Sequence, residues 1–311
     1  MKLAILFAGQ GAQHAGMGQD LYAQYPAFRQ VLDEAAGAVD FDLKALCFTG
    51  PEETLCQTQY TQPCMVAFAA GAMAVLREAG LQPAAAAGLS LGEYSALCAA
   101  GVFTPRQAVQ TAAFRGQAMA QASQGQPSAM AAILGLDRES LAQACEKAQG
   151  LVEIANYNCP GQMAIAGDEA AVQAACQYAK EAGAKRCVPL KVSGPFHTSR
   201  MAPAAQALHR YFQDMTFGDM AFPVYFNCLG KPMGQGDTIP ALLERQVRSS
   251  VYMEDTLRNM AAAGIDTFLE IGPGKVLTGF VRKTVKGATA RAVETAQDMA
   301  ETLAWLKGET P

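Results

Sequence analysis

Ser90 lies in the segment Gly88-Leu89-Ser90-Leu91-Gly92, a Gly-x-Ser-x-Gly sequence between a short apolar run and a helical pattern. A serine on a strand-to-helix turn exposes its hydroxyl group, and flanking glycines remove the Cβ atoms that would clash at the bend. The unpaired N–H groups at the start of the following helix can bind an oxyanion. The pentapeptide is short, but its position between a strand and a helix predicts a nucleophilic serine.

A serine nucleophile needs a base, and the chain has three histidines, His14, His197 and His209. His209 lies beside Arg210 in a helical pattern, which is typical of a solvated face. His14 lies in a glycine-rich loop, which favours a structural or surface role. His197 follows Gly194-Pro195-Phe196 in a loop and is therefore the candidate general base.

The group that orients the imidazole is less evident from the sequence. A hydrolase of the α/β type has an Asp or Glu between its serine and its histidine. Asp137, Glu139, Glu153 and Asp168 are available in that interval, but these four fall inside a segment with the pattern of a separate small domain. We therefore predict a Ser-His dyad whose imidazole is oriented by a carbonyl or amide oxygen.

Arg115 follows the serine turn in an apolar helical segment. An isolated arginine of this kind commonly extends its guanidinium to solvent from a helix edge. Alternatively, the guanidinium binds a carboxylate of the substrate. Glu93 and Tyr94 are interpreted as residues of the first helical turn, where the helix dipole favours the glutamate. Gly9-Gln10-Gly11 could supply a backbone N–H to an oxyanion hole, although an ordinary strand-to-loop turn has the same pattern.

Strands and helices alternate along most of the chain, and these elements must position the reactive residues. Apolar periodicity predicts helices over residues 27–39, 62–79, 91–100, 105–121, 202–212, 240–247, 253–263 and 298–306. Strands are predicted over residues 3–7, 84–88, 224–227 and 267–271. This alternation predicts an α/β fold with a mostly parallel sheet covered on both faces.

The composition changes near Gln124-Gly125-Gln126-Pro127. The following segment has strand patterns at 130–134, 152–156, 162–166 and 185–192, and helix patterns at 137–149 and 168–182. The resulting order β-α-β-β-α-β is ferredoxin-like. We therefore predict a large α/β domain of residues 1–125 and 194–311, with a hydrolase-like serine turn, and an inserted ferredoxin-like small domain of residues 126–193.

The composition excludes several classes of protein. The 311 residues are 50% hydrophobic and 17% charged, which allows a substantial core. A net charge of −4 argues against a general nucleic-acid or membrane-surface binder. The nine cysteines are scattered without a Cys-x-x-Cys pair, which argues against a disulfide framework or a zinc site. The longest apolar stretch, residues 64–76, is too short for a membrane span, so a cytoplasmic protein is expected.

Several ordered segments together resemble the malonyl-CoA:acyl-carrier-protein transacylases and the acyltransferase domains of polyketide synthases. They extend from the first strand to about residue 280, so the resemblance spans nearly the whole chain. The matching segments are Phe7–Gln13 (FAGQGAQ), Gly88–Leu97 (GLSLGEYSAL), Phe114–Gly116, Asn158–Gln162, Gly194–His197 (GPFH) and Glu270–Leu277 (EIGPGKVL).

The resemblance implies a ping-pong acyl transfer. Ser90 would attack the thioester of malonyl-CoA with His197 as general base, and the backbone N–H groups of Gln10 and Leu91 would hold the oxyanion. The phosphopantetheine thiol of an acyl carrier protein would then attack the malonyl-serine ester. Arg115 would pair with the free carboxylate of the malonyl group.

The resemblance also implies secondary site residues. Asn158 would belong to the substrate-binding set, and Gln246 would match a family glutamine whose oxygen can orient the imidazole. Phe196 resembles the residue of malonyl-selective members, and its ring would crowd an α-methyl group. Because one methyl group changes binding by only about 1–3 kcal/mol, this selectivity would be partial. The chain departs from the family pattern at Ala8, where proline is frequent, and at Leu89, where histidine is usual.

The partners that the resemblance implies are acyl carrier protein and malonyl-CoA, in fatty-acid or polyketide chain extension, with neither nucleic acid nor membrane. No metal or prosthetic group is implied, since CoA is a substrate, and a monomer is expected. An acidic carrier would need a basic surface, although each basic residue is individually typical of ordinary solvated charge. The candidates are Lys185, Arg186, Lys191, Arg282, Lys283 and Lys286.

Two other classes of function share part of this pattern. A serine esterase or lipase has the same turn but requires a carboxylate beside His197 and accepts neutral esters. A catalytically inactive carrier-binding module would not need Ser90, His197 and Arg115 together, so their presence argues against it. Replacing Arg115 discriminates between the two enzymes, because only malonyl transfer depends on binding a substrate carboxylate.

Overall fold

The computed structural model describes residues 1–125, 127–192 and 194–309. These residues form two compact units. The first comprises Met1–Gly116, Phe217–Tyr225 and the segment from Met260 to the C-terminal end, and the second comprises Gln117–Thr216 and Phe226–Asn259. The limits predicted for the small domain, residues 126 and 193, lie outside the described residues, so the predicted division stays a prediction.

The elements of both units follow one another in a largely alternating order. In chain order they are β1 (Leu3–Phe7), α1 (Gln19–Gln24), α2 (Pro26–Ala36), α3 (Leu43–Thr49), α4 (Glu52–Leu55), α5 (Thr58–Glu78), β2 (Ala85–Gly88), α6 (Gly92–Ala99), α7 (Pro105–Ala122), β3 (Ser128–Leu134), α8 (Arg138–Lys147), β4 (Val152–Cys159), β5 (Gln162–Asp168), α9 (Glu169–Glu181), β6 (Arg186–Pro189), a 3-10 turn (Ser199–Met201), α10 (Ala202–Phe212), β7 (Tyr225–Phe226), β8 (Lys231–Pro232), α11 (Ile239–Val247), β9 (Val251–Tyr252), α12 (Met253–Ala262), β10 (Thr267–Ile271), α13 (Val276–Thr284), β11 (Thr289–Val293) and α14 (Ala296–Leu306).

The first unit is built on a parallel sheet with the strand order β11-β10-β1-β2. Strands β1 and β10 are buried along their whole length, as continuous apolar runs require in a sheet covered on both faces. The prediction of a mostly parallel sheet is confirmed. Because the four strands run in the same direction, the loops that follow β1, β2, β10 and β11 lie at one edge of the sheet.

The second unit contains a mixed sheet with the strand order β6-β3-β5-β4-β9. The predicted β-α-β-β-α-β order is confirmed by β3, α8, β4, β5, α9 and β6. Helices α8 and α9 share one apolar cluster with the strands of this sheet, whose buried members include Leu141, Ala175, Ile133 and Ile165. The two residues of β9 extend this sheet by pairing in parallel with β4, an addition that the sequence did not predict.

Several short elements also differ from the sequence-based expectation. Helices α1, α3, α4 and α13 and strand β11 were not predicted, and β6 covers four residues where the sequence suggested 185–192. The first three of these helices have four to seven residues, too few to show a helical period. Helix α13 begins where the buried Glu270 carboxylate accepts the N–H groups of Leu277 and Thr278, a tertiary cap.

Candidate active site

Ser90 occupies the turn between β2 and α6 with a φ angle of 52°, in the left-handed region that residues other than glycine rarely adopt. A Cβ atom on Gly88 would lie 2.0 Å from the carbonyl carbon of Gly92, and one on Gly92 would lie 2.2 Å from the main-chain oxygen of Phe7. Gly88 is therefore required for the turn to close, and Gly92 is required for α6 to lie against β1. The conformation projects the serine hydroxyl out of the turn.

The loop after β1 lies directly against the serine turn. The N–H of Leu89 donates to the main-chain oxygen of Phe7 over 3.0 Å, and a Cβ atom on Gly9 would lie 2.5 Å from the main-chain oxygen of Leu89. The N–H groups of Gln10 and Leu91 donate no hydrogen bond within the part of the chain that the structure describes. Two available N–H donors on adjacent loops are what an oxyanion hole requires.

Arg115 extends from α7 toward the serine, and its side chain is fully buried. Its Nη2 donates to Ser90 Oγ over 3.0 Å, and its Nη1 donates to Gln62 Oε1 over 2.9 Å. The guanidinium thus does not extend to solvent as isolated helical arginines commonly do. A Cβ atom on Gly116 would lie 2.7 Å from the main-chain oxygen of Thr58, so this glycine lets α7 approach α5 closely enough for the contact with Gln62.

Glu93 and Tyr94 form the immediate surroundings of the arginine and are both fully buried. The ring centroid of Tyr94 is 5.2 Å from the guanidinium carbon. Burial lowers the pKa of Arg115 from its usual value, and the nearby Tyr94 and Glu93 oppose this by raising it. The two residues therefore do more than begin α6, because they stabilise a cation inside the first unit.

Gln62 is a site residue that the sequence did not reveal. Besides accepting from Arg115, it places its Nε2 3.5 Å from the side-chain oxygen of Gln10. Gln10 Nε2 in turn donates to Thr58 Oγ1 over 3.0 Å. This row of side chains links the loop after β1 to the buried guanidinium. The available signal was an amide at the start of the long apolar run of α5, where a buried polar group needs a partner.

His197 belongs to the second unit, where it is 3% exposed and has a φ angle of 61°. Its main-chain N–H donates to the oxygen of Val247 over 3.2 Å, and its Nδ1 lies 2.9 Å from the main-chain oxygen of Gln246. Because a carbonyl oxygen only accepts, the proton resides on Nδ1. The lone pair is therefore on Nε2, which can act as a base.

The oxygen beside the imidazole is thus a main-chain carbonyl at the end of α11, contributed by the predicted residue Gln246. Three of the four carboxylates considered from the sequence have other partners in the second unit. Asp137 caps α8 by accepting the N–H of Ser140, Asp168 pairs with Arg200, and Glu153 accepts from the N–H and hydroxyl of Ser199. Glu139 lies in the first turn of α8.

Two further predicted residues lie in the second unit. Phe196 directly precedes His197 and is 7% exposed. Its loop runs close to Ser123, whose Oγ would be 1.9 Å from a Cβ atom on Gly194. Asn158 lies near the end of β4, and its buried Oδ1 has no hydrogen-bond partner among the described residues. An unpaired buried acceptor suits a ligand with an N–H or O–H group, so the assignment of Asn158 to substrate binding stays a prediction.

The two remaining histidines lie apart from the residues around Ser90 and from those around His197. His209 is exposed and pairs with Glu244, while His14 pairs with Glu294. None of the nine cysteines, all within the described ranges, forms a disulfide. Within the same ranges, no group of three or more His, Cys, Asp or Glu side chains is suited to a metal ion. Every described helix is too short or too polar to span a bilayer.

Comparison with known proteins gives a consistent match. The acyl transferase domain family matches residues 5–303. A malonyl CoA-acyl carrier protein transacylase of Bacillus subtilis (strain 168) is 41% identical over 311 residues, covering 99% of this chain and 98% of its own. The crystal structure of a malonyl CoA-acyl carrier protein transacylase from Clostridium perfringens superposes with a TM-score of 0.95 at 36% identity, covering 99% of this chain and 98% of that one. A malonyl-transacylase solved in complex with a type II PKS acyl-carrier protein superposes with a TM-score of 0.94 at 39% identity, covering 97% of this chain and 99% of that one.

Proposed function

The chain belongs to the acyl transferase domain family and is an acyltransferase, and on that premise we propose that it transfers malonyl groups from malonyl-CoA to an acyl carrier protein. The observation that carries the proposal is the fully buried Arg115 guanidinium, 3.0 Å from Ser90 Oγ. A malonyl group attached to Ser90 brings a free carboxylate into reach of this guanidinium. A planar guanidinium can bind that carboxylate through two parallel hydrogen bonds.

The first half-reaction makes an ester on the serine. Ser90 Oγ attacks the thioester carbonyl carbon of malonyl-CoA while His197 Nε2 takes the hydroxyl proton. The N–H groups of Gln10 and Leu91 stabilise the negative oxygen of the tetrahedral intermediate. The carbon–sulfur bond then breaks, and CoA leaves as a thiol with the proton from His197. The main-chain carbonyl of Gln246 accepts the Nδ1 proton of His197 and so leaves Nε2 unprotonated, as this proton transfer requires.

In the second half-reaction the carrier thiol is the nucleophile and Ser90 is the leaving group. The phosphopantetheine thiol of the carrier gives its proton to His197 and attacks the malonyl ester. The carbon–oxygen bond breaks, and Ser90 recovers its proton. Arg115 selects malonyl over neutral acyl groups in both steps, because a neutral group would leave a buried guanidinium without its carboxylate partner. In this proposal Phe196 limits the space beside the malonyl α-carbon and Asn158 contacts the substrate, with no cofactor involved.

We place carrier docking at the β6 edge of the second unit. Lys185, Arg186 and Lys191 are exposed there, and the side chains of Leu190 and Val192 are each 37% exposed. Cations interspersed with apolar side chains suit an acidic protein surface. The carrier complex of the similar malonyl-transacylase supports an acyl carrier protein as the partner. The pathway served is fatty-acid or polyketide chain extension.

Intact-protein mass spectrometry after brief mixing with malonyl-CoA or acetyl-CoA tests the proposal. We expect a malonyl adduct on the wild type that is absent in Ser90→Ala and weak in Arg115→Ala, and little acetyl adduct on the wild type. Free CoA accumulating without an adduct would instead indicate a serine hydrolase. An acetyl adduct as abundant as the malonyl adduct would refute the assigned role of Arg115. A folded wild type inert to both thioesters and to a serine-directed fluorophosphonate would indicate a non-catalytic module.

A further inference from the structure

His14 lies four residues after Gln10 in the loop between β1 and α1. Its Nε2 is 2.8 Å from Oε1 of Glu294, the residue that follows β11, and its Nδ1 is 3.0 Å from the main-chain oxygen of Ala15. Glu294 Oε2 also accepts the N–H of Gly274, in the loop after β10. The His14 side chain thus joins three of the loops that gather at the carboxyl edge of the parallel sheet.

Both ring nitrogens of His14 face groups that can only accept. A carbonyl oxygen has no proton to donate, and an ionised carboxylate has none either. Both contacts are hydrogen bonds only when the ring bears a proton on each nitrogen, so this geometry requires the imidazolium form. Loss of one proton leaves one of the two contacts without a hydrogen.

The electrostatic surroundings of His14 favour this cation. Its hydrogen bond to the main chain of Ala15 raises the pKa of His14 above the ordinary 6.5, partial burial opposes the change, and Glu294 and Glu52 raise the pKa further. Glu52, in α4, also accepts the N–H of Ala15 over 2.8 Å. Asp298, in α14, accepts the main-chain N–H of Glu294 and so fixes the backbone of the residue that binds His14.

The position of His14 matters because Gln10 lies between two anchors of the loop. Upstream, the N–H of Ala8 donates to the main-chain oxygen of Ile271 over 3.0 Å. Downstream, His14 is bound to Glu294. Between the anchors Gly11 has a φ angle of 102°, and the side chain of Gln10 is itself held by its hydrogen bond to Thr58 Oγ1. The His14 anchor therefore acts on the main chain of this loop, in addition to the contact that holds the Gln10 side chain, and limits how far the Gln10 N–H can move.

We propose that protonated His14 is a positioning residue, which holds the Gln10 N–H at the oxyanion hole by binding Glu294 and which releases this loop on deprotonation. This inference rests on the proposed function for its catalytic consequence, although the restraint on the loop does not depend on it. The contacts are complete below pH 6.5, where the ring is protonated. They are lost as the pH rises through the pKa of His14 in the folded protein.

The first test measures the ring and the loop without any substrate. Ring nitrogen and carbon NMR should show that His14 binds both protons at pH 6.5, with a pKa that falls in Glu294→Gln, which keeps acceptor oxygens but removes the charge. The three histidine signals are assigned with His14→Ala and His209→Gln. Hydrogen exchange of residues 9–13 at pH 6 should be faster in His14→Ala and unchanged in His209→Gln, the matched control with its own glutamate partner.

The second test measures formation of the malonyl-serine ester at several pH values. In His14→Ala the rate at pH 6 should fall about tenfold, less than the roughly 100-fold loss for a 1 Å misplacement of a reacting group. His14→Arg should restore most of the rate, and its rate relative to wild type should rise as the pH increases, because arginine stays charged.

Outcomes that overturn the inference are distinct from those that overturn the proposed function. A His14 that titrates at or below 6.5, or a segment 9–13 whose exchange does not change in His14→Ala, refutes the restraint on the loop. An equal loss of rate at every pH in His14→Ala, without rescue by His14→Arg, refutes the dependence on protonation. If the wild type forms no malonyl ester, the proposed function fails, and the NMR and exchange results still decide whether His14 restrains the loop.

Discussion

The direction of the buried Arg115 guanidinium is set by the side chains that surround it. Its guanidinium lies over the ring of Tyr94 and is directed toward Ser90 by the oxygen of Gln62. Glu93 supplies the opposite charge, which offsets part of the large free-energy cost of burying a cation. A lysine at this position would lack the planar fork that can bind serine, glutamine and a carboxylate from fixed directions.

Replacing Gln62 with methionine should weaken malonyl loading without preventing folding. The substitution keeps the volume of the side chain but removes the acceptor 2.9 Å from Arg115 Nη1. An unsatisfied buried donor costs about 1–3 kcal/mol, so we expect the rate of malonyl-ester formation to fall roughly tenfold. Acetyl-ester formation should change less, because it does not use the guanidinium, and adduct rates with both thioesters measure the difference.

The matched control for this prediction is Gln117→Met, an exposed glutamine two residues after Arg115 on the same helix. It should leave both adduct rates unchanged. Equal losses of malonyl and acetyl adducts in Gln62→Met would indicate a general disturbance of the serine turn and would contradict the specific role of Gln62.

At the scale of elements, the serine turn depends on the close approach of α6 and β1. Gly92→Ala should lower the free energy of unfolding by about 3 kcal/mol and abolish labelling of Ser90 by a fluorophosphonate, because the new Cβ atom would lie 2.2 Å from the main-chain oxygen of Phe7. Urea denaturation and the labelling rate together measure this effect.

Gly279, in α13 of the same unit, is a glycine without close neighbours, and Gly279→Ala is therefore the control for Gly92→Ala. An added Cβ atom there meets nothing within 4 Å, so the substitution should raise the free energy of unfolding by about 0.5–1 kcal/mol and leave labelling intact. A Gly92→Ala variant that is as stable as the wild type would show that β1 and α6 can separate, contrary to the structure.

The sequence predicts these elements where local signals are strong. The apolar runs of β1 and β10 and the serine turn follow from residue types and spacing, and the small domain follows from the order of its elements. The contacts of Gln62 and Tyr94 with Arg115 could not be predicted, because they join residues that are distant in the chain through the packing of separate helices. The cap of α13 by Glu270 is likewise tertiary, since strand β10 supplies the carboxylate.

At the scale of the whole molecule, carrier recognition should depend on the charged edge at β6. The double variant Lys185→Glu, Lys191→Glu should raise the KM for acyl carrier protein about tenfold, equivalent to about 1.4 kcal/mol of lost electrostatic attraction. Formation of the malonyl ester from malonyl-CoA should stay unchanged. Steady-state transfer and single-turnover loading, measured separately, distinguish the two half-reactions.

A double variant with the same change of charge, Arg282→Glu and Lys286→Glu, serves as the comparison. These two exposed residues lie at and just beyond the end of α13 in the first unit. We expect little change in the KM for the carrier. If this variant impaired transfer and the β6 variant did not, carrier docking would have to be assigned to the end of α13.

The pairing of β1 with β10 has a consequence for how the chain folds during its synthesis. The N–H of Lys2 bonds the side chain of Asp266, which lies 264 positions later. Strand β1 therefore emerges from the ribosome long before its central partner exists, and at about 5–20 residues per second the delay is roughly 13–50 s. During that interval the apolar strand and the serine turn beside it lack one side of their sheet. The apolar strand is then exposed to aggregation, and the sheet that carries the reactive serine is completed only after residue 271 has been synthesised.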